Sequence, residues 1–204
     1  EGRTVLFVSH NMGAIQKLCR RGLVLQNGRI LSQGNIDECV SSYINNQMSY
    51  SNLWTCELIK SKQLQIIGIS LQVEGKQPNL LLHVIIKLAS NQNHKPAFIA
   101  LDITNEIGVT LMQALPVLTP FIHANRRNHL CEITVTLPPL IPGRYFVTPW
   151  VGSHNTETLD QIENIVYFEI QDSPTDGRTF PHYTNHGSIV PIANLTYSSE
   201  KYPI

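Results

Sequence analysis

His10 closes an apolar run, Thr4-Val5-Leu6-Phe7-Val8-Ser9-His10, and an amphipathic stretch follows it at once. Imidazole titrates near neutrality, and in an open α/β sheet the C-terminal edge of the strands is where nucleotides bind. Strand-Ser-His-helix is a short pattern, so its reading depends on what surrounds it. Two other patterns fall short of a chemistry. His182 and His186 are four apart, a zinc-like spacing on a helix, but Pro181, Asn185 and Gly187 make that segment a loop, and with no third ligand no metal site is expected. Glycoside hydrolysis needs two carboxylates roughly 5 to 10 Å apart across a sugar. Asp102, Glu106, Glu132, Asp160 and Glu163 are dispersed without such a pairing, and Asp160 reads as architectural.

The elements around His10 form a layered unit. Met12, Ile15, Leu18 and Cys19 recur at helical spacing, Arg20-Arg21 suit the end of a helix, and Gly22 can stop it. Leu23-Val24-Leu25-Gln26 and Arg29-Ile30-Leu31-Ser32 flank Asn27-Gly28, the pair that favours a type I′ hairpin. Asn35 can cap a second helix with Glu38 three residues on, and Ile36, Cys39, Val40, Tyr43 and Ile44 give it one apolar stripe. Residues 4–46 therefore read as an α/β unit lacking most of its sheet, and residues 1–47 are assigned to it.

Between 45 and 62 the periodicity is lost, and residues 48–60 are taken as a linker. Residues 61–204 are assigned to a second domain, in which the period becomes 2 from Gln63 onward. Ile67-x-Ile69-x-Leu71-x-Val73, Leu82-x-Val84-x-Ile86-x-Leu88, Ile99-x-Leu101-x-Ile103 and Cys131-x-Ile133-x-Val135-x-Leu137 alternate. Tyr145-x-Val147 continues the series, followed by either Ile165-x-Tyr167 or Val166-x-Phe168-x-Ile170. Turn residues separate the runs, among them Glu74-Gly75-Lys76, Pro138-Pro139 and Pro142-Gly143. Short alternating strands in this number predict an antiparallel, immunoglobulin-like β-sandwich. The expected fold is thus mostly β, with a truncated α/β unit in front.

Lys+Arg and Asp+Glu are equal at 15 each, so no overall charge recruits nucleic acid or anionic lipid. Cys19, Cys39, Cys56 and Cys131 lack a Cys-x-x-Cys spacing, which argues for reduced thiols in a cytosolic compartment. No apolar run approaches the roughly 18 residues of a membrane span, and no signal peptide is visible.

Val8-Ser9-His10-Asn11-Met12, Leu18-Cys19-x-Arg21, Leu23-x-Leu25, Asn27-Gly28-Arg29-Ile30, Gly34 and Tyr43 resemble the nucleotide-binding subunits of ABC transporters, in the part after the catalytic glutamate. Pro142-Gly143-x-Tyr145, Leu159-Asp160-x-Ile162, Phe168-x-Ile170, Asp176-Gly177 and Gly187-x-Ile189 resemble the C-terminal carbohydrate-binding domain of O-antigen exporters of the Wzt type. The resemblance implies that His10 is the switch histidine, contacting the γ-phosphate of ATP and helping to hold the attacking water. The chain contains no Gly-x4-Gly-Lys-Ser/Thr loop, no Leu-Ser-Gly-Gly run and no apolar strand ending in Asp-Glu. ATP and magnesium would accordingly belong to a longer parent protein, and this chain alone is expected to be inactive as an ATPase. Partners implied are the exported polysaccharide, a transmembrane permease subunit and a second copy of the chain. The implied location is the cytoplasmic side of the inner membrane. Val190-Pro191-Ile192-Ala193, interrupted by proline, departs from the family, which often ends in an aromatic strand after the last glycine.

Alternation picks out the residues that would meet a sugar. With Tyr145 and Val147 inside, Phe146, Thr148 and Trp150 point outward, and the same parity turns out Phe98, Asp102, Glu132 and His83. Aromatic rings lie against the apolar face of a pyranose while carboxylate, hydroxyl and imidazole groups bond its hydroxyls. The alternative is that the sandwich only dimerises or docks a partner protein, for which a broad apolar patch is expected.

Overall fold

The computed structural model describes residues 5–8, 12–26, 28–46, 52–153 and 157–198. Ser9, His10 and Asn11 lie outside these, so the nucleotide-contacting role read for His10 meets no structural description.

The N-terminal unit has the expected order: α1 (Met12–Leu18), β1 (Arg21–Gln26), β2 (Arg29–Asn35) and α2 (Ile36–Asn46). β1 and β2 pair as a hairpin closing at Gln26 and Arg29, with Gly28 at a φ of 76°, the left-handed conformation that glycine adopts without strain. The Asn35 side chain accepts the Asp37 N–H at 2.8 Å and so caps α2. Ile36 and Val40 are buried, with Ile15, Cys19 and Tyr43 against them. Residues 5–8, expected to be a strand, pair with nothing among the described residues; Leu6 and Val8 are 92% and 96% exposed. An apolar run alone makes no strand when no neighbouring strand takes its backbone hydrogen bonds. An apolar groove of about 660 Å³ remains here, lined by Phe7, Ile15, Leu23, Val40 and Tyr43 among others.

The remainder is the predicted sandwich. One sheet has the order β3 (Leu53–Thr55), β4 (Leu64–Lys76), β5 (Asn79–Ser90), β8 (Asn128–Thr136). The second runs β9 (Gly143–Ser153), β6 (Phe98–Asn105), β7 (Thr110–Ala114), and the free side of β9 is taken at one end by β10 (Glu157–Gln161) and at the other by β11 (Val166–Ile170). All pairings are antiparallel. β3 lies within the stretch read as linker; it pairs with β4, and Trp54 packs against the sandwich core. β7 and β10 carry no run of alternating apolar residues and so do not announce themselves in the sequence.

Leu64, Ile66, Ile69, Leu82, Ile86, Ile99, Leu101 and Tyr145 fill the space between the sheets. Ile66, not Ile67, faces inward, because the β4–β5 register shifts between Ile66 and Gly68 and resets the parity upstream. Of the two parities open for β11, Val166, Phe168 and Ile170 face the core, with Phe168 stacked on Tyr145 at 5.5 Å. The Tyr145 hydroxyl donates to the Ile141 carbonyl at 2.7 Å. Ile189 forms an isolated bridge to Leu140, and residues 191–198 carry no regular structure. The four cysteines are free thiols.

Candidate functional site

Strands β6 and β9 are central in their sheet, so each presents one face to the core and one away from it. Register fixes the outer face: Phe98 lies opposite Gly152, Ala100 opposite Trp150, Asp102 opposite Thr148, and Thr104 opposite Phe146. β7 extends the Asp102 row with Gln113, and the β10 edge adds Thr158 beside Gly152 and Gln161 beside Trp150. Five of the seven residues read from alternation, Phe98, Asp102, Phe146, Thr148 and Trp150, therefore share one face.

The other two do not. His83 on β5 and Glu132 on β8 belong to the opposite sheet, where His83 bonds Thr134 at 3.2 Å and Glu74 at 3.0 Å. Parity tells which way a side chain points within its own sheet, but not which sheet the strand joins.

Burial revises the set further. Phe98, Phe146 and Thr148 keep only 6%, 4% and 6% of their surface, so these rings are not open platforms as expected. The connection between β10 and β11 lies over this part of the face: Asn164, at a φ of 48°, donates its N–H to Thr148 Oγ1 at 3.0 Å, and Thr104 Oγ1 donates to its side-chain carbonyl at 3.1 Å. Tyr167 on β11 sits 6.0 Å from the Phe146 ring. Outward orientation in a sheet is therefore not exposure, since a loop can cover it.

Trp150 remains half-exposed and is held from three sides. Its indole N–H donates to Thr158 Oγ1 at 2.9 Å, and its ring meets the edge of Phe98 at 5.4 Å and 64°. Gly152, two residues on, leaves room for it: a Cβ there would run into the indole and into the Glu157 carbonyl oxygen. Asp102 is half-buried and accepts from Gln113 Nε2 at 2.7 Å. Asp102 pairs with Thr148 and so lies one same-face step, about 7 Å along the strand, from the Trp150 row. At the far end of the face Arg144 donates to Glu169 at 3.0 Å and lies over the Tyr167 ring at 5.4 Å, and the Glu169 bond holds the guanidinium more firmly protonated.

A fixed, half-exposed indole beside a carboxylate, an amide and the hydroxyl of Thr158 can stack on one face of a sugar ring and bond its hydroxyls. It does not assemble the paired carboxylates of a glycosidase. Asp160 turns inward to Ile66 and Lys62, Glu132 is on the other sheet, and Glu106 and Glu163 sit in loops. Thr158, Gln113 and Gly152 went unread in the sequence because their strands gave no signal or, for glycine, because its role depends on what lies above it. Among the described residues no three His, Cys, Asp or Glu side chains gather as a metal site; His182 instead bonds Ser173 at 2.9 Å. No helix among them is long and apolar enough to cross a membrane.

No protein-family profile matches this chain, and no curated protein sequence does. Among solved structures, the crystal structure of the C-terminal domain of Wzt is similar over 67% of this chain and 90% of that one, with 13% identity and a TM-score of 0.47.

Proposed function

We propose that this chain is the C-terminal portion of the ATP-binding subunit of an ABC exporter of cell-surface polysaccharide, and that its β-sandwich binds and selects the glycan. The observation that carries the reading is the half-exposed Trp150, its indole set by Thr158, Phe98 and the absence of a side chain at Gly152, with Asp102 and Gln113 on the next row. The motif resemblance of both halves of the chain supports it.

In this reading Trp150 stacks on a pyranose ring while Asp102, Gln113, Thr158 and Gln161 bond its hydroxyls. Each contact is weak, and two copies engaging one polymer multiply them through effective concentration. His10 would sense the γ-phosphate of ATP in the full-length parent, where ATP and magnesium are bound, and a transmembrane permease would receive the selected chain at the cytoplasmic side of the inner membrane.

The test is to titrate the whole chain with the polysaccharide of the producing cell, following tryptophan fluorescence, with Trp54→Phe as background and Trp150→Ala as control. Saturable binding lost in Trp150→Ala is the expected result. A folded protein that binds no glycan at millimolar sugar would instead be a dimerisation or partner-docking module.

A further inference from the structure

We propose that one loop end of the sandwich docks directly on an anionic lipid surface. Three connecting segments meet there: residues 56–63 before β4, residues 91–97 between β5 and β6, and residues 115–127 between β7 and β8. Backbone and side-chain bonds lock them together. Asn91 N–H donates to the Gln63 carbonyl at 2.8 Å and Gln92 Nε2 to the Lys60 carbonyl at 2.9 Å. On the other side Ala97 N–H donates to Ile122 at 2.9 Å and Ser90 N–H to Arg127 at 2.9 Å. The middle segment is therefore flanked by the other two.

Cations gather on all three. Lys60, Lys95, Arg126 and Arg127 are exposed, and among the described residues none of them forms an ion pair. Lys62 is spoken for by Asp160. The sequence has no Asp or Glu from 58 to 73, from 75 to 101 or from 107 to 131, which leaves Glu57, Glu157 and the Lys62-paired Asp160 as the acids near this end. In a chain of zero net formal charge, such a grouping makes a local positive field.

Apolar side chains stand out from the same segments. Leu118 is 73% exposed, and Val117, Phe121 and Leu115 are 41%, 42% and 39% exposed; across the middle segment Leu58 and Ile59 are 49% and 48% exposed. They stand on the two outer segments together with Lys60, Arg126 and Arg127, with Lys95 on the segment between. A protein partner is met by a continuous apolar surface, and a soluble polyanion needs the charges alone. A bilayer interface uses both features as they are arranged here, taking apolar tips into the headgroup–acyl boundary while Lys and Arg stay with anionic headgroups.

Flotation of the whole chain with vesicles tests this, using phosphatidylcholine alone and phosphatidylcholine mixed with phosphatidylglycerol. The chain is expected to float with the mixed vesicles and not with the neutral ones, and to be released by salt. Arg126→Glu with Arg127→Glu should lower the partition by roughly tenfold or more, and Val117→Ser with Leu118→Ser should lower it by a similar factor, roughly tenfold. These positions are exposed, and circular dichroism is the check that each variant keeps its β-sheet. Absence of flotation would overturn the proposal. So would flotation that the serine pair leaves unchanged, and so would binding of soluble polyphosphate by a chain that does not float, which would make this end a site for polyanions in solution.

Discussion

The Asp160 carboxylate on β10 and the Lys62 ammonium ahead of β4, 98 positions apart, meet at 2.6 Å and tie the second sheet to the entry of the first. The other carboxylate oxygen accepts the Ile66 N–H at 2.8 Å, so Asp160 completes the backbone of β4 where its register shifts. The Asp160 side chain is 5% exposed and that of Lys62 is 40% exposed, and the difference decides which partner matters more. Asp160→Ala strands a buried N–H and is expected to cost about 2–3 kcal/mol. Lys62→Met takes the cation from that carboxylate but opens a half-exposed position to water, and is expected to cost less, about 1–2 kcal/mol. Urea denaturation of both variants gives the comparison.

Gly152→Ala should act on Trp150 without touching it chemically. The added Cβ has no space beside the indole and the Glu157 carbonyl, so the ring must leave its seat or the hairpin must shift. The expected cost is about 1–3 kcal/mol, with a red-shifted Trp150 emission and glycan affinity as low as in Trp150→Ala. An unshifted spectrum would show that the indole is not seated on Gly152.

Tyr145 carries an alkaline signature. Burial first, and the charge of Glu106 second, push its phenol well above the ordinary range, while in the unfolded chain it titrates near about 10. The folded state therefore holds this proton where the unfolded state releases it. The sign follows: stability from this group is full below about pH 10 and falls as pH rises above it. Tyr145→Phe should flatten that alkaline decline. At neutral pH it should cost about 1–2 kcal/mol, because the Ile141 carbonyl loses its donor. Denaturation midpoints between neutral and alkaline pH read both effects.

The two sheets give opposite expectations for polar substitutions. Asp102→Asn should weaken glycan binding by roughly tenfold, the loss of one hydrogen bond to a charged acceptor. His83→Ala, on the other sheet, should leave that affinity unchanged and cost only the exposed contacts with Thr134 and Glu74. Isothermal titration of the two variants separates them, and equal losses would move the site off the β6–β9 face.

Much of the architecture was legible before any coordinates. The helical stripe Ile36, Cys39, Val40 and Tyr43 and the Asn27-Gly28 turn announced the first unit, because amphipathic spacing and turn chemistry are local properties. The alternation through Leu82–Leu88 and Ile99–Ile103 announced a sandwich, since a strand with one buried face must alternate. Parity even placed Phe98, Asp102, Thr148 and Trp150 away from the core.

The rest was decided by contacts distant in sequence. Nothing near His83 says that β5 pairs with β4 and β8 instead of β6; that choice depends on the whole sheet. The shift at Ile66 is invisible in a run as uniformly apolar as Ile66-Ile67-Gly68-Ile69, and only the register with β5 reveals it. Phe146 and Thr148 look like an open face until the β10–β11 connection brings Asn164 onto Thr148 and β11 sets Tyr167 beside Phe146. Sequence thus determined which residues face inward or outward along an unbroken alternating strand such as Leu82–Leu88 or Ile99–Ile103, because that is set by the backbone's own period. Tertiary structure decided which outward residues share a surface and which stay open, because both are set by chain segments that pack across from them.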